Sequence, residues 1–298
     1  MIVQFTKFCR SVLFVTALRP DRYVKCQEAG ADISLVDLED SVSGNDKHVA
    51  RKEAERFFTA KASGSGLRAV RINAISHQEG LRDLLAILDY AAKPDIIAIP
   101  KVESPRDVEI AELVLRDQCR ETGYLAIVET ARGIENVFDI ARSSSRLRAL
   151  VFGSADYSFS IGSSMSDGVL YHARSRIVTA ARAAGIHAID TACFDIRNTA
   201  RLDAEARMCR EMGFSGKAAI HPSQLRWINA AFSPDDETLE KARRIVAASR
   251  ESNQNVCVVD GMMVGIPIVD AARRILSEFD GGGRGEAPLR EGPRESDG

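Results

Sequence analysis

Eight short apolar runs, each followed by a stretch of helical periodicity, leave this chain very few architectures. The runs are Ser11–Val15, Ile33–Leu38, Ala69–Asn73, Ile96–Val102, Leu125–Val128, Ala149–Phe152, His187–Asp190 and Ala218–Ile220. They are continuous rather than alternating apolar and polar, which is the pattern of strands buried on both faces of a parallel sheet. Helices are expected at about residues 21–29, 46–61, 81–90, 104–119, 132–143 and 169–184, and through the stripe Leu202, Ala206, Cys209 and Met212. Ser104-Pro105 reads as cap and first helical residue, and Gly30, Gly185 and Gly213 read as stops. Eight such units in about 230 residues favour a closed (β/α)8 TIM barrel, an α/β fold, over an open doubly wound sheet. An open sheet should carry a glycine-rich fingerprint after its first strand, and none follows Val15.

The barrel is assigned to residues 1–232 and a C-terminal helical appendage to residues 233–280. The appendage starts at Ser233-Pro234-Asp235-Asp236 with a cap, a proline and an acidic first turn, and that helix is expected to reach about Ser252. A β-like run, Val256–Val259, and a last helix at about 267–278 follow. Residues 281–298 have almost no apolar content and are expected to be disordered. A formal net charge of −2 gives no field favouring nucleic acid or an anionic membrane, so neither is expected as a partner. No apolar run approaches the ~20 residues of a membrane span. The six cysteines form no C-x-x-C pair, as expected of reduced thiols in a cytoplasmic protein. A structural role is read for Cys193 ahead of a nucleophilic one.

In a barrel, side chains at the carboxyl ends of the strands converge on one site. Those positions hold Glu39 and Asp40, Arg71 and Asn73, Lys101 and Glu103, Glu129, Asp156, Asp190 and His221, in strand order. Glu129 and Asp156 end the fifth and sixth runs. Two such neighbouring carboxylates suit Mg2+, which takes one or two carboxylates plus water and substrate oxygens; they also suit the caps of the helices that follow. With a metal there, Arg71 would face it and take the carboxylate of a 2-oxo or 2-hydroxy acid in a bidentate fork. The metal would stabilise an enolate beside the carbonyl, as carbon–carbon bond making or breaking requires. Alternatively, Arg71 pairs with Glu39 or Asp40. Lys101 as a Schiff-base lysine ranks low, because acids around it raise its pKa. His221, before a proline, reads more readily as a loop or cap residue than as a base.

Several stretches, in order, resemble the citrate lyase β-subunit family of barrel lyases, relatives of malyl-CoA and citramalyl-CoA lyases. They are Arg10-Ser11-Val12-Leu13-Phe14-Val15, Asp37-Leu38-Glu39-Asp40-Ser41-Val42, Val70-Arg71-Ile72-Asn73, Ile99-Pro100-Lys101-Val102-Glu103-Ser104, Val128-Glu129-Thr130-Ala131-Arg132-Gly133, Val151-Phe152-Gly153-Ser154-Ala155-Asp156 and Ala219-Ile220-His221-Pro222-Ser223-Gln224. The resemblance implies Mg2+ on Glu129 and Asp156, catalytic roles for Arg71, Glu39 and Asp40, with Glu39 and Asp40 supporting the metal's water, and a substrate pocket that includes Arg71, Glu129, Arg19 and Gly153. It also implies a homotrimer or homohexamer in which the C-terminal segment of one subunit closes its neighbour's site. Two departures stand out. Gly265, in Gly261-Met262-Met263-Val264-Gly265-Ile266-Pro267, occupies the place of the family's acid/base aspartate. The first loop reads Val15-Thr16-Ala17-Leu18-Arg19-Pro20-Asp21-Arg22 where family members carry Val-Pro-Gly-x-Arg-Pro-Glu-Arg.

The expected activity is Mg2+-dependent carbon–carbon lysis of a 2-hydroxy or 2-oxo acid unit, as a malyl-CoA or citramalyl-CoA type ester. With Gly265, proton transfer would fall to metal-bound water, Asp260 or the substrate. Two alternatives stay open: the same site used for condensation or thioester hydrolysis, and a non-catalytic subunit that binds an oxo acid or CoA.

Overall fold

The computed structural model describes residues 9–251 and 256–279 of the 298-residue chain. The residues expected to form a disordered tail, 281–298, lie outside them. The chain divides into two compact units at Ser233/Pro234.

In the first unit eight strands close into one parallel barrel: β1 (Ser11–Thr16), β2 (Ile33–Asp37), β3 (Leu67–Arg71), β4 (Ile96–Ile99), β5 (Gly123–Val128), β6 (Leu147–Phe152), β7 (His187–Asp190) and β8 (Gly216–Ala219). Closure is made by Ser11, Val12 and Leu13 against Lys217, Ala218 and Ala219. The connecting helices are α1 (Tyr23–Glu28), α2 (Lys47–Thr59), α3 (Gln78–Asp89), α4 (Pro105–Leu115), α5 (Ala131–Glu135), α6 (Val137–Ile140), α7 (Ser154–Ser160), α8 (Asp167–Ala184), α9 (Thr199–Met212) and α10 (Leu225–Phe232). Ser104 and Asp107 form a capping box before α4, and Gly185 and Gly213 end α8 and α9 in left-handed conformations. The helix expected at 132–143 is two short ones. The short α7 and the last barrel helix α10 were not foreseen.

Alternation along each strand separates two cores. Val12, Leu35, Ala69, Ala98, Ile127 and Val151 belong to a lumen cluster, while Leu13, Val36, Val70, Ile97, Val128 and Phe152 pack against the helices. Both sets are almost fully buried, and each buried Leu, Ile, Val or Phe contributes roughly 1.5–3 kcal/mol.

The same alternation corrects part of the expected ring. Ile189 faces the lumen, so Asp190 faces outward with Ala188, away from the barrel mouth. It lies fully buried between β7 and the helices, 2.7 Å from Lys217 Nζ, 3.0 Å from Arg174 Nε and 3.0 Å from Cys209 Sγ. Burial would push Asp190 up, but Lys217 and Arg174 hold it below the usual carboxylate range. Asn73 lies past the end of β3, which starts and stops two residues earlier than the apolar run suggested, and its amide holds Asp83 Oδ2 and the Leu38 carbonyl. Glu103 pairs with Arg132.

In the second unit, α11 (Asp236–Glu251) and α12 (Ile266–Phe279) accompany a hairpin of β9 (Val256–Val259) and β10 (Met262–Gly265). Asp260 and Gly261 turn it with φ of 50° and 76°, as a two-residue hairpin requires. The strand β10 was not foreseen, although Asp-Gly signals such a turn.

Lys217→Met leaves Asp190 buried with less compensation. It is expected to cost about 3–5 kcal/mol, read from denaturant unfolding midpoints.

Candidate active site

The last lumen-facing positions of β2 and β3, and the next ones beyond β5 and β6, hold Asp37, Arg71, Glu129 and Gly153. The apolar steps Leu35, Ala69, Ile127 and Val151 precede them. These residues line a cavity of about 1020 Å3 together with Phe14, Arg19, Arg22, Lys25, Asp40, Asp156, Phe194, Ile220 and His221. That volume is at the upper end for small-molecule sites.

Asp37 is the residue that sequence reasoning missed. Its Oδ1 and Oδ2 accept from Arg71 Nε at 2.6 Å and Arg71 Nη2 at 2.8 Å. The two-pronged grip expected for a substrate carboxylate is therefore given to Asp37 in this structure. A carboxylate inside an apolar strand run was the available signal, since such a group is buried only with a partner. Burial would raise Asp37, but Arg71, the Ser41 side chain and the Glu39 N–H hold it low. Arg71 is itself only partly exposed, lies over the Phe14 ring at 5.2 Å and is kept charged by Asp37 against the effect of burial.

Glu39 and Asp40 flank this pair, Glu39 buried and Asp40 exposed. Arg71 Nη1 lies 2.9 Å from Glu39 Oε2 and 3.4 Å from Asp40 Oδ2. The contact with Glu39 lacks hydrogen-bond alignment, so buried Oε2 has no hydrogen-bond partner among the described residues. Glu39 Oε1 accepts from Lys101 Nζ at 2.5 Å. Burial pushes Glu39 upward against the pull of Arg71 and Lys101. Burial also opposes the charge on Lys101, but Glu39 and its acidic neighbours outweigh it and hold the ammonium above its ordinary value. This is the environment expected to disqualify Lys101 as a Schiff-base lysine.

Glu129 and Asp156 follow the adjacent strands β5 and β6. Glu129 does not cap α5. Thr130 does, its Oγ accepting the Gly133 N–H at 3.0 Å, while Glu129 Oε1 accepts the Lys101 N–H at 3.0 Å. Asp156 sits in the first turn of α7, half exposed, 3.6 Å from Lys101 Nζ. Gly153 is where it is because Glu129 needs the room: a Cβ there would lie 2.1 Å from Glu129 Oε2 and 2.6 Å from Glu129 Cβ. Burial first, then Glu39 and Asp156, push Glu129 up to about 8, with Lys101 and Arg71 opposing.

An under-compensated carboxylate, a buried Glu39 oxygen that has an ion contact with Arg71 but no hydrogen bond, and hard oxygen donors together fit a divalent cation such as Mg2+. No group of three or more His, Cys, Asp or Glu side chains in ligand geometry occurs among the described residues, so Glu129 and Asp156 would leave positions for water and substrate oxygens.

Elsewhere at the mouth, Arg19 forks onto Asp21 with both contacts at 2.8 Å. His221 Nδ1 accepts the Ser223 N–H at 3.2 Å, as a cap does. Cys193 is buried and pushed upward by that burial, which disfavours a thiolate. The described cysteines are free, and no helix among the described residues is long and apolar enough to cross a membrane.

Residues 10–222 match the family described as HpcH/HpaI aldolase/citrate lyase. The chain belongs to that family. As a member of the HpcH/HpaI group it is 34% identical over 288 residues to the citrate lyase subunit beta of Escherichia coli K12, covering 92% of this chain and 94% of that one. It is also 34% identical over 276 residues to a (3S)-malyl-CoA thioesterase of Cereibacter sphaeroides, covering 91% and 94%. Among solved structures, protein CitE from Mycobacterium tuberculosis in complex with magnesium, acetoacetate and coenzyme A superposes with a TM-score of 0.77 at 32% identity, covering 91% of this chain and 98% of that one.

Glu129 carries a pH signature. A carboxyl raised from 4.5 to about 8 favours the protonated folded state, so its contribution to stability is present below the lower value and lost as pH rises through the upper one. Thermal unfolding of metal-free protein is expected to show a decline between roughly pH 5 and pH 8 that Glu129→Gln removes.

Proposed function

We propose that this family member is a Mg2+-dependent carbon–carbon lyase acting on a 2-hydroxy or 2-oxo acid unit carried as a CoA ester of the malyl-CoA or citramalyl-CoA type. The observation that carries the reading is the pair Glu129 and Asp156, which follow the adjacent strands β5 and β6, with Glu129 buried beside acids that Lys101 and Arg71 do not fully offset. The magnesium, acetoacetate and coenzyme A held by the superposed CitE agree with it.

In this reading Glu129 and Asp156 hold Mg2+. The chemistry it supplies when bound is Lewis-acid polarisation of a carbonyl oxygen. Gly153 leaves Glu129 the space it occupies. Asp37 fixes Arg71, so the guanidinium offers a stationary positive charge to the substrate carboxylate rather than a free fork. Glu39 Oε2, buried without a hydrogen bond, is an acceptor for a donor entering the site. Arg19, Arg22 and Lys25, which line the cavity, attract the anionic groups of a CoA ester. The C-terminal unit presents Val256, Val258 and Met263 on one face of its hairpin at 41%, 69% and 74% exposure, an apolar surface suited to a neighbouring subunit in a trimer or hexamer. The free thiols of the described chain suit a reducing compartment such as the cytoplasm.

A second reading, thioester hydrolysis, is favoured by Gly265 and by the malyl-CoA thioesterase relative. Glycine carries no proton-transfer group, and Asp260 in the same hairpin is engaged by Arg244 at 3.0 Å. Hydrolysis needs no proton placed on a carbon.

Mass-spectrometric product analysis with Mg2+ and malyl-, methylmalyl-, citramalyl- and citryl-CoA separates the two. Two carbon fragments identify a lyase, and an intact hydroxy acid with free CoA identifies a hydrolase. Asp156→Ala is expected to abolish turnover of either kind, and product formation by that variant at the native rate would sink the metal assignment.

Gly153→Ala is expected to displace Glu129, weakening Mn2+ binding by about tenfold or more and costing about 1–3 kcal/mol through overpacking. Isothermal titration calorimetry and thermal unfolding read the two effects.

A further inference from the structure

Lys101 lies two residues past the end of β4 with φ of 51°, one of two non-glycine residues in the left-handed region among the described residues. Holding a residue with a Cβ there costs of order 1 kcal/mol, so the surroundings must compensate. They do so twice. The Lys101 N–H donates to Glu129 Oε1 at 3.0 Å. The ammonium lies 2.5 Å from Glu39 Oε1, 3.6 Å from Asp156 Oδ1 and 3.8 Å from Asp40 Oδ1. Backbone and side chain of one residue thus address both candidate ligands and both acids beside them.

The charge balance says what this does. Within this cluster Asp37, Glu39, Asp40, Glu129 and Asp156 surround Arg71 and Lys101, an excess of three negative charges when all are ionised, while Arg19, Arg22 and Lys25 lie elsewhere on the cavity lining. A divalent cation leaves an excess of one, onto which an oxo acid must bring its own carboxylate. Without the ammonium, the cation would be drawn in more strongly and the anion less.

We propose that Lys101 is a positioning residue that trades affinity for the divalent cation against affinity for the anionic substrate, while its strained backbone aligns Glu129 independently of the side chain. The proposal rests on the metal-dependent reading of the site.

The test uses the full chain, Mn2+ as the metal probe and pyruvate as the smallest 2-oxo acid, with binding measured by calorimetry and by Mn2+ paramagnetic resonance. Lys101→Met removes the charge and keeps the stem. It is expected to bind Mn2+ about tenfold tighter and, once loaded, pyruvate about tenfold more weakly. Lys101→Arg keeps the charge and is expected to hold both constants within about twofold of the native protein. Opposite signs are the decisive feature, because loss of a merely structural lysine weakens both ligands together or neither. A Lys101→Met protein that binds Mn2+ more weakly, or pyruvate as well as the native chain does, overturns the proposal. Native protein that binds no Mn2+ removes the metal reading, and this proposal with it.

Discussion

Side-chain alternation in a closed parallel barrel governs everything else in this molecule. Each strand residue belongs either to the lumen or to the layer under the helices, and the assignment reverses at every step. Lumen positions that are apolar through Leu35, Ala69, Ile127 and Val151 become Asp37, Arg71, Glu129 and Gly153 at the mouth. No loop rearrangement is needed to gather these groups. They are together because the strands are in register, and Asp37 and Arg71 are direct register partners.

Within that mouth the charges form a graded set. Asp37 and Arg71 satisfy one another and form its rigid end. Glu39 and Lys101 are partly matched. Glu129, buried and bordered by Glu39 and Asp156, is the least compensated. Proteins seldom bury a carboxylate this way without a function for it, and the gradient points to the same end of the site as the adjacent strand ends do.

Most of the barrel was legible in the sequence because a strand buried on both faces must be apolar throughout. Strand ends were legible to within two residues except in β4, which stops at Ile99, three residues short of the expected Val102. Lys217 was passed over because a lysine reads as the border of a strand, and its neutralisation by Asp190 depends on a residue of another strand. Asp190 was placed at the site because a position at a strand's end does not by itself reveal which way the pleat points. Of the site, Glu129, Asp156, Arg71, Glu39 and Asp40 could be named from the ends of the runs. Asp37 was missed, because a carboxylate in an apolar run reads as an interruption until the need to bury it with a partner is weighed. The position of Gly153 beneath the Glu129 carboxylate could not be named, a contact that only the pairing of β5 with β6 creates.

The outward cluster of Asp190, Lys217, Arg174 and Cys209 gives the barrel wall a second meaning. One strand thickness separates two ionic assemblies of opposite character. The outer one is dry, and Glu205, 3.3 Å from Lys217, balances its second cation, so dissolved ions have little purchase on it. The inner one opens to the cavity and is left short of positive charge. The wall stands between the two, so titration at the mouth can change the stability of the fold without touching the ion pairs that hold the wall together.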